Sequence, residues 1–183
     1  MKTIDWNNVK AASGGFEKLP AGGYVCGITA VEDFESKEFL KFEFDIADGE
    51  NKNYYRKIYE QNGKWVASFV KSYKDKALGY FKQMLECFEA SNKGFEINSN
   101  DENRFKRKLI GLVLGYEEYE TTDKNGNPVV REKLIVDRIL PVADIKAGKF
   151  EIPELKKLKG STTAKASTTD KFVETDADED VPW

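Results

Sequence analysis

Short stretches of alternating apolar and polar residues predict that this chain is built mainly from β-strands. Residues 24–31 are largely β-branched or aromatic, and Gly27 among them predicts a bulge or a sharp bend. The next stretch is apolar at every second position, which predicts a half-buried strand. Its core face is expected to carry Leu40, Phe42, Phe44 and Ile46, and its other face Phe39, Lys41, Glu43 and Asp45.

Two pairs of β-like stretches are each separated by residues that favour a tight turn. Residues 54–59 and 65–73 flank Asn62-Gly63, and Asn-Gly tolerates the positive φ that a short hairpin turn requires. Residues 109–119 and 129–140 flank a second turn that contains Gly126. The pattern therefore predicts two β-hairpins, of which the first is rich in aromatic and basic residues.

Residues 77–88 instead repeat apolar positions every three or four residues, which predicts one helix. Asp75 is its expected N-cap, and Gly94 is a signal for its end. A chain with a single helix cannot form a parallel α/β sheet, because it lacks repeated crossovers. About five antiparallel strands with a helix between the third and the fourth match the OB-fold, a Greek-key barrel. We therefore predict an all-β fold of this class with one helix.

Composition divides the chain into three parts. Residues 1–20 mix polar residues with glycine and proline and are expected to form an N-terminal arm that packs through a few anchors. Residues 21–158 form the predicted OB-fold domain, and residues 148–155 are expected to close it against the barrel. Residues 159–183 are too polar to repay the entropy of ordering, which predicts a disordered acidic tail.

The net charge of −3 is distributed unevenly along the chain. Two lysines and six acidic residues follow residue 160, which gives the tail −4 and leaves +1 for the remainder. The acidity therefore belongs to the tail, and the folded part is free to carry a local basic surface. No apolar run reaches the roughly 18 residues of a membrane span, and the first residues lack a secretory signal, so a cytoplasmic location is expected.

The residues available for chemistry favour a binding protein over an enzyme. The chain contains no histidine, which removes the usual general base and the commonest metal ligand. Cys26 and Cys87 lie in apolar surroundings without a partner at metal-ligand spacing, and both are expected to be reduced core residues. We therefore expect no catalytic residue, no metal and no cofactor.

Aromatic and cationic residues interleave in the predicted first hairpin. Proteins that bind single-stranded nucleic acid stack bases on aromatic rings, while lysine and arginine follow the phosphates. Both faces of the strand predicted over residues 54–59 carry an aromatic residue, so at least one ring is expected to be exposed. Residues 104–108 and one face of the last strand supply further cations. The candidate nucleic-acid contacts are Lys41, Tyr54, Tyr55, Arg56, Lys57, Tyr59, Trp65, Phe69, Lys71, Tyr73, Arg104, Lys106, Arg107, Arg131 and Lys133.

The C-terminal tip combines acidic residues with an apolar end. Such a terminus offers a hydrophobic group, a carboxylate and flanking acids to a pocket with a basic rim, whereas an acidic tail alone only solvates. The residues expected to dock a partner are Asp176, Asp178, Glu179, Asp180, Val181, Pro182 and Trp183. This tip resembles that of bacterial single-stranded DNA-binding proteins, which ends in acids followed by Ile-Pro-Phe or a close variant. The resemblance implies docking of replication and repair proteins.

Five short stretches of the body occur in an order that points to a second family. They are LPAGGYV at 19–25, FDIADG at 44–49, YYR at 54–56, GLVLG at 111–115 and GKF at 148–150. In these stretches the chain resembles single-stranded DNA-binding proteins of phages and prophages from Gram-positive hosts. The resemblance implies an OB-fold and a role in phage DNA replication or recombination in the host cytoplasm. Whether the protein forms a homo-oligomer is left open by the sequence.

Two other functions stay open at this point. One is a metal-dependent nuclease that uses Asp45, Glu117, Glu118 and Asp137, although Asp45 and Asp137 also fit the polar faces of strands. The other is an adaptor whose OB barrel captures replication proteins and binds no DNA, since one fold supports many ligands. The preferred hypothesis is a non-catalytic single-stranded DNA-binding protein that recruits partners through its acidic tip.

Overall fold

Strands and short helices make up residues 17–158, the part of the chain that this computed structural model describes. The strands are β1 (Gly22–Phe34), β2 (Phe39–Ile46), β3 (Ser68–Ser72), β4 (Leu109–Thr122) and β5 (Pro128–Leu140). The helices are α1 (Tyr54–Asn62), α2 (Leu78–Ser91) and α3 (Val142–Lys146), with 3-10 turns at Glu35–Lys37, Asp75–Ala77 and Glu102–Phe105. Within this range no helix has the length and apolar character needed to cross a bilayer. The predicted tail and its docking residues lie outside the described residues, as does most of the predicted arm.

The five strands form one antiparallel sheet in the order β3-β2-β1-β4-β5. β1 pairs with β4 through residues 22–27 and with β2 through residues 26–34, so it belongs to both halves of the sheet. The register with β2 skips Thr29, a bulge two residues after the predicted site at Gly27. The neighbours β4-β1-β2-β3 have Greek-key order, and α2 connects β3 to β4. The predicted all-β, OB-like fold is therefore confirmed.

One hydrophobic core lies against the inner face of the sheet. The four core positions predicted for β2 are all 5% exposed or less. α2 adds Phe88, whose ring lies 6.3 Å from that of Phe42 and 5.0 Å from that of Phe105. Cys26 and Cys87 are free and buried, as predicted, and burial raises the pKa of both thiols.

Residues 54–59, predicted as a strand, belong to helix α1, so that prediction was wrong. Tyr55 and Ile58 lie three residues apart and form the buried face of the helix. The Asp45 carboxylate on β2 accepts hydrogen bonds from the Tyr55 and Arg56 backbone N–H groups at 3.0 and 3.3 Å. Because amides in the first turn of a helix have no helical acceptor, Asp45 acts as a cap supplied by the neighbouring strand.

The predicted turn residues Asn62-Gly63 end α1 instead of reversing a hairpin. Gly63 has a φ of 69° and donates its N–H to the Tyr59 carbonyl at 2.7 Å. Left-handed backbone serves helix C-caps and hairpin turns alike, so the signal was assigned to the wrong element. The prediction that Asp75 is the N-cap of α2 was also wrong. Ala77 occupies the N-cap position, and Asp75 begins the preceding 3-10 turn.

The segment after β5 closes one face of the β1–β4 pair, as predicted. A Cβ atom built at Gly23 would lie 2.5 Å from the Phe150 ring, and one at Gly111 would lie 2.5 Å from Ile145 and 2.7 Å from a backbone oxygen. Glycine is required at these positions because the segment approaches the sheet too closely for any side chain.

The start of the described chain packs on the same domain. Leu19 is 2% exposed and belongs to the core. The Tyr116 hydroxyl donates to the Leu19 carbonyl at 2.6 Å, and the Tyr24 hydroxyl donates to the Pro20 carbonyl at 2.7 Å. Residues that were assigned to the arm therefore contribute to the folded domain.

Candidate nucleic-acid interface

α1 and the residues that follow it bring aromatic and cationic side chains together. Tyr59 is 46% exposed, and its ring centroid lies 5.9 Å from that of Trp65. Trp65 is half-buried and donates its indole N–H to the Ala67 carbonyl at 3.0 Å, which orients the ring. Three exposed cations belong to the same segment. We call this surface the α1 platform; it consists of Arg56, Lys57, Tyr59, Lys64 and Trp65.

The β4–β5 hairpin extends well beyond β1. β1 pairs with β4 only as far as Leu114, whereas β4 and β5 stay paired to their turn. On one face of this extension Tyr119 lies opposite Arg131, and the Lys133 ammonium lies 5.7 Å from the centre of the Tyr119 ring. Lys133 also contacts Glu117 at 3.9 Å. We call Tyr119, Arg131 and Lys133 the hairpin face.

A network centred on Asp123 holds the hairpin turn. Its carboxylate accepts hydrogen bonds from the backbone N–H groups of Asn125 and Asn127, both at 2.8 Å. The bonds from Asn127 and Asn125 lower the pKa of Asp123. Gly126 has a φ of 83°, as a tight turn requires. The second predicted hairpin is therefore confirmed.

Residues 17–19 join the supports of these two surfaces. The hydroxyl of Tyr54, the first residue of α1, donates to the Glu17 carbonyl at 2.9 Å. Lys18 contacts Glu132 on the hairpin, and its ammonium lies 4.0 Å from the centre of the Tyr116 ring. Because side chains alternate along a strand, Tyr116 and Glu132 lie on the side of the hairpin opposite Tyr119 and Lys133. Residues 17–19 therefore link α1 to the back of the hairpin face.

The connection between β1 and β2 is acidic. The rings of Phe34 and Phe39 stack there with centroids 4.7 Å apart and planes inclined by 19°. The exposed acids of this segment are Glu32, Asp33, Glu35 and Glu38. Lys41 lies opposite Glu32 in the register, so its charge is opposed by its surroundings. Because clustered acids repel phosphate, we leave Lys41 out of the candidate interface.

Three of the predicted aromatic contacts are used inside the domain. Tyr55 is 2% exposed, and burial raises the pKa of its phenol well above the usual value. Phe69 stacks on Phe42 with ring centroids 4.9 Å apart. The Tyr73 hydroxyl donates to Asp33 at 2.9 Å, and desolvation together with this bond raises the pKa of Tyr73 to about 12. These rings support the fold and are not free to stack on bases.

The cationic run before β4 divides into structural and exposed residues. The Arg104 guanidinium donates to the Glu96 and Ile97 carbonyls, both at 2.8 Å, and desolvation lowers its pKa. Lys106 and Arg107 are exposed, and Arg107 has a φ of 63°. Arg104 therefore holds a loop, whereas the other two cations face solvent.

Tyr119, the ring of the hairpin face, was not among the contacts predicted from the sequence. Counting outward from Asn125, the middle of the second turn, places Tyr119 opposite Arg131, which is the observed register. The signal was therefore present in the turn position. Tyr80 on α2 was missed as well, and it is 72% exposed.

The carboxylates considered for metal-dependent cleavage all have partners in the domain. These partners are the amides of α1 for Asp45, Lys133 for Glu117, the Leu158 N–H for Glu118, and Arg138 and Lys156 for Asp137. Within residues 17–158, no group of three or more Cys, Asp or Glu side chains is placed to hold a metal ion.

No protein-family model matches the chain, and no curated protein matches its sequence. A functional assignment for this chain therefore rests on its own residues and geometry.

Proposed function

We propose that this protein binds single-stranded DNA without catalysing a reaction. The observation that supports the proposal most directly is the presence of the α1 platform and the hairpin face on one OB-like domain. Each surface combines an aromatic ring with cations. Rings accept stacked bases of any sequence, and cations follow the phosphates, so this combination suits a flexible single strand.

Stacking is expected on Tyr59, Trp65 and Tyr119. Trp65 is held by its hydrogen bond and its ring contact, so little side-chain freedom is lost when a base binds. Arg56 precedes Tyr59 by three residues and shares its side of the helix. Arg131 lies opposite Tyr119. Each ring surface therefore has a guanidinium beside it to meet a phosphate.

The tail supplies the second part of the proposal. Its acidic, apolar-ended tip, residues 176–183, is proposed to recruit replication and recombination proteins while the barrel holds the DNA. The resemblance of five short stretches of the sequence to phage single-stranded DNA-binding proteins supports the further proposal that this activity serves phage DNA replication or recombination in the host cytoplasm. The tail's −4 charge disfavours its own contact with DNA, which separates the two roles.

Alanine variants of the two surfaces test the proposal. Tyr59→Ala and Tyr119→Ala should each weaken oligo-dT binding by about 1–3 kcal/mol, or roughly 5- to 150-fold in Kd, because each removes a stacked base. Phe34→Ala is the matched control, since it removes a ring from the acidic connection. Fluorescence anisotropy with labelled oligo-dT measures the affinity, and circular dichroism confirms that each variant is folded.

Equal affinities for the wild type and both tyrosine variants would reject the two surfaces as the interface. Failure of the wild type to bind oligo-dT at low salt would reject DNA binding altogether. That second result would favour an OB-fold adaptor that captures proteins.

A further inference from the structure

The two outer strands of the sheet leave a cleft between them. In the described pairing β3 bonds only to β2 and β5 only to β4, so each has a free edge. A cavity of about 240 Å³ lies where β3, β5 and α2 meet. This volume is below the roughly 300–1,000 Å³ of sites for drug-sized molecules, so it suits a single small unit.

A cation without a counter-charge lines this cleft. Lys71 lies opposite the buried Leu40 in the register, so its side chain starts on the core side of β3. Lys71 is half-buried, and desolvation lowers its pKa. The electrostatic neighbour of its ammonium is the Cys87 thiol, whose own pKa burial raises, so this neighbour supplies no negative charge. Because a partly desolvated ammonium is stabilised by a nearby negative charge, Lys71 favours the binding of an anion from outside the domain.

An exposed ring lies beside that cation. Tyr80, Gln83 and Met84 share one side of α2, because they are spaced by three and four residues, and all three line the cleft. Tyr80 is 72% exposed, more than any other large apolar or aromatic side chain that the structure describes. Met84 is buried and closes the bottom of the cleft. The cleft thus combines a free ring face, an amide and an apolar floor.

The remaining charges of the cleft are balanced. Asp137 is the one acid among its lining residues, and it contacts Arg138 at 3.3 Å and Lys156 at 3.0 Å. Arg138 also donates to the Glu151 carbonyl at 2.8 Å. With Asp137 neutralised, Lys71 gives the cleft a positive balance that attracts phosphate.

We infer that the β3–β5 cleft is a separate subsite for one nucleotide of the bound strand, with the phosphate at Lys71 and the base against Tyr80. The inference rests on the proposed function, since the strand is brought there by the main interface. Lys71 lies opposite Leu40, and α1 follows Ile46, so about 20 Å of β2 separates the two sites along the strand direction. Only an oligonucleotide long enough to span that distance reaches both.

Length-dependent binding tests the subsite. Wild type, Lys71→Gln and Tyr80→Ala are titrated with oligo-dT of about 3 and about 30 nucleotides, on either side of the roughly 4–16 nucleotides of one OB-fold site. A strand of about three nucleotides is too short to reach both sites. Both variants should bind the short oligonucleotide like the wild type and the long one about tenfold more weakly. Lys82→Gln is the matched control, because Lys82 is an exposed α2 cation that pairs with Glu86 and does not line the cleft.

The other outcomes overturn the inference in distinguishable ways. If both variants match the wild type at both lengths, the cleft takes no nucleotide, while DNA binding by the main interface stands. If short and long oligonucleotides lose affinity equally, Lys71 and Tyr80 belong to the main interface and no separate subsite exists. If the wild type binds neither length, the proposed function fails, and the subsite fails with it.

Discussion

Replacing Asp45 by alanine removes the link between β2 and α1. The Asp45 side chain is 8% exposed and accepts three backbone hydrogen bonds, from Ile46 at 2.8 Å, Tyr55 at 3.0 Å and Arg56 at 3.3 Å. Two of these donors belong to the first turn of α1, where no helical carbonyl is available. In Asp45→Ala the N–H groups of Tyr55 and Arg56 lose this acceptor. Water can replace it at the exposed Arg56 but not at the buried Tyr55.

The expected loss of stability is large for a polar residue. Removing an N-cap costs about 0.5–2 kcal/mol, and leaving a buried donor unsatisfied costs about 1–3 kcal/mol. Since Tyr55 is in the core and Arg56 is at the surface, we expect Asp45→Ala to reduce the free energy of unfolding by about 2–4 kcal/mol. Asp45→Asn keeps one acceptor oxygen but loses the charge at the helix N-terminus, so about 1 kcal/mol is expected.

Urea unfolding followed by tryptophan fluorescence measures this loss, because Trp65 follows α1 directly. With a urea m value of about 1–3 kcal/mol/M, the midpoint for Asp45→Ala should fall by about 1–2 M. Asp48→Ala is the control: Asp48 pairs with Lys146 at 3.1 Å, but both side chains are more than half exposed. Such a surface pair contributes about 0–1 kcal/mol. If Asp45→Ala unfolds at the same midpoint as Asp48→Ala, the capping role is refuted.

Three further predictions concern the core, pH and the tail. Gly111→Ala should destabilise the protein by about 1–3 kcal/mol through overpacking. Gly79→Ala, whose added methyl group meets open space on α2, should stabilise it by up to about 1 kcal/mol. Urea midpoints that shift in the same direction for both variants would contradict this prediction. Because the pKa of Tyr73 is raised to about 12, its contribution to stability is complete below pH 10 and disappears as the pH rises to about 12. Asp33→Asn should lower the pKa of Tyr73 in an absorbance titration. An unchanged pKa would be evidence against the hydrogen bond between Tyr73 and Asp33. Deleting residues 176–183 should leave oligo-dT affinity unchanged or slightly higher and abolish partner pull-down, and weaker DNA binding would contradict the separation of roles.

Secondary structure could be predicted from the sequence where the pattern of apolar residues fits only one type of element. Alternation in β2 admits only a half-buried strand, and the spacing of Phe81, Met84 and Phe88 admits only a helix. The second hairpin was equally accessible, since Gly126 lies between two long β-like stretches. In these cases local sequence and tertiary packing favour the same answer.

α1 could not be predicted from its own residues. Its aromatic residues have high β propensity, and Gly63 suits a hairpin turn as well as a helix end. The deciding contact is the cap from Asp45, which lies nine residues before the first residue of the helix and accepts hydrogen bonds from its first amides. Tertiary context therefore overrides local propensity here.

The candidate interface was accessible only in part for the same reason. Composition identifies which residues have suitable chemistry, but burial decides which of them are available. Tyr59 and Tyr55 have the same side chain four residues apart on one helix, yet only Tyr59 is exposed. The Arg104 guanidinium similarly donates its hydrogen bonds to backbone carbonyls and holds a loop. Whether a given ring or cation is exposed can therefore be decided only once the fold is known.

Fluorescence of Trp65 tests the central claim most directly. In a variant whose Trp6 and Trp183 are replaced by phenylalanine, oligo-dT should quench Trp65 at low salt, because bases stack on or beside its ring. The affinity should fall as salt rises, since phosphate contacts release counterions, and duplex DNA of equal length should quench less. Absence of quenching and of any anisotropy change at low salt would contradict single-stranded DNA binding by this protein.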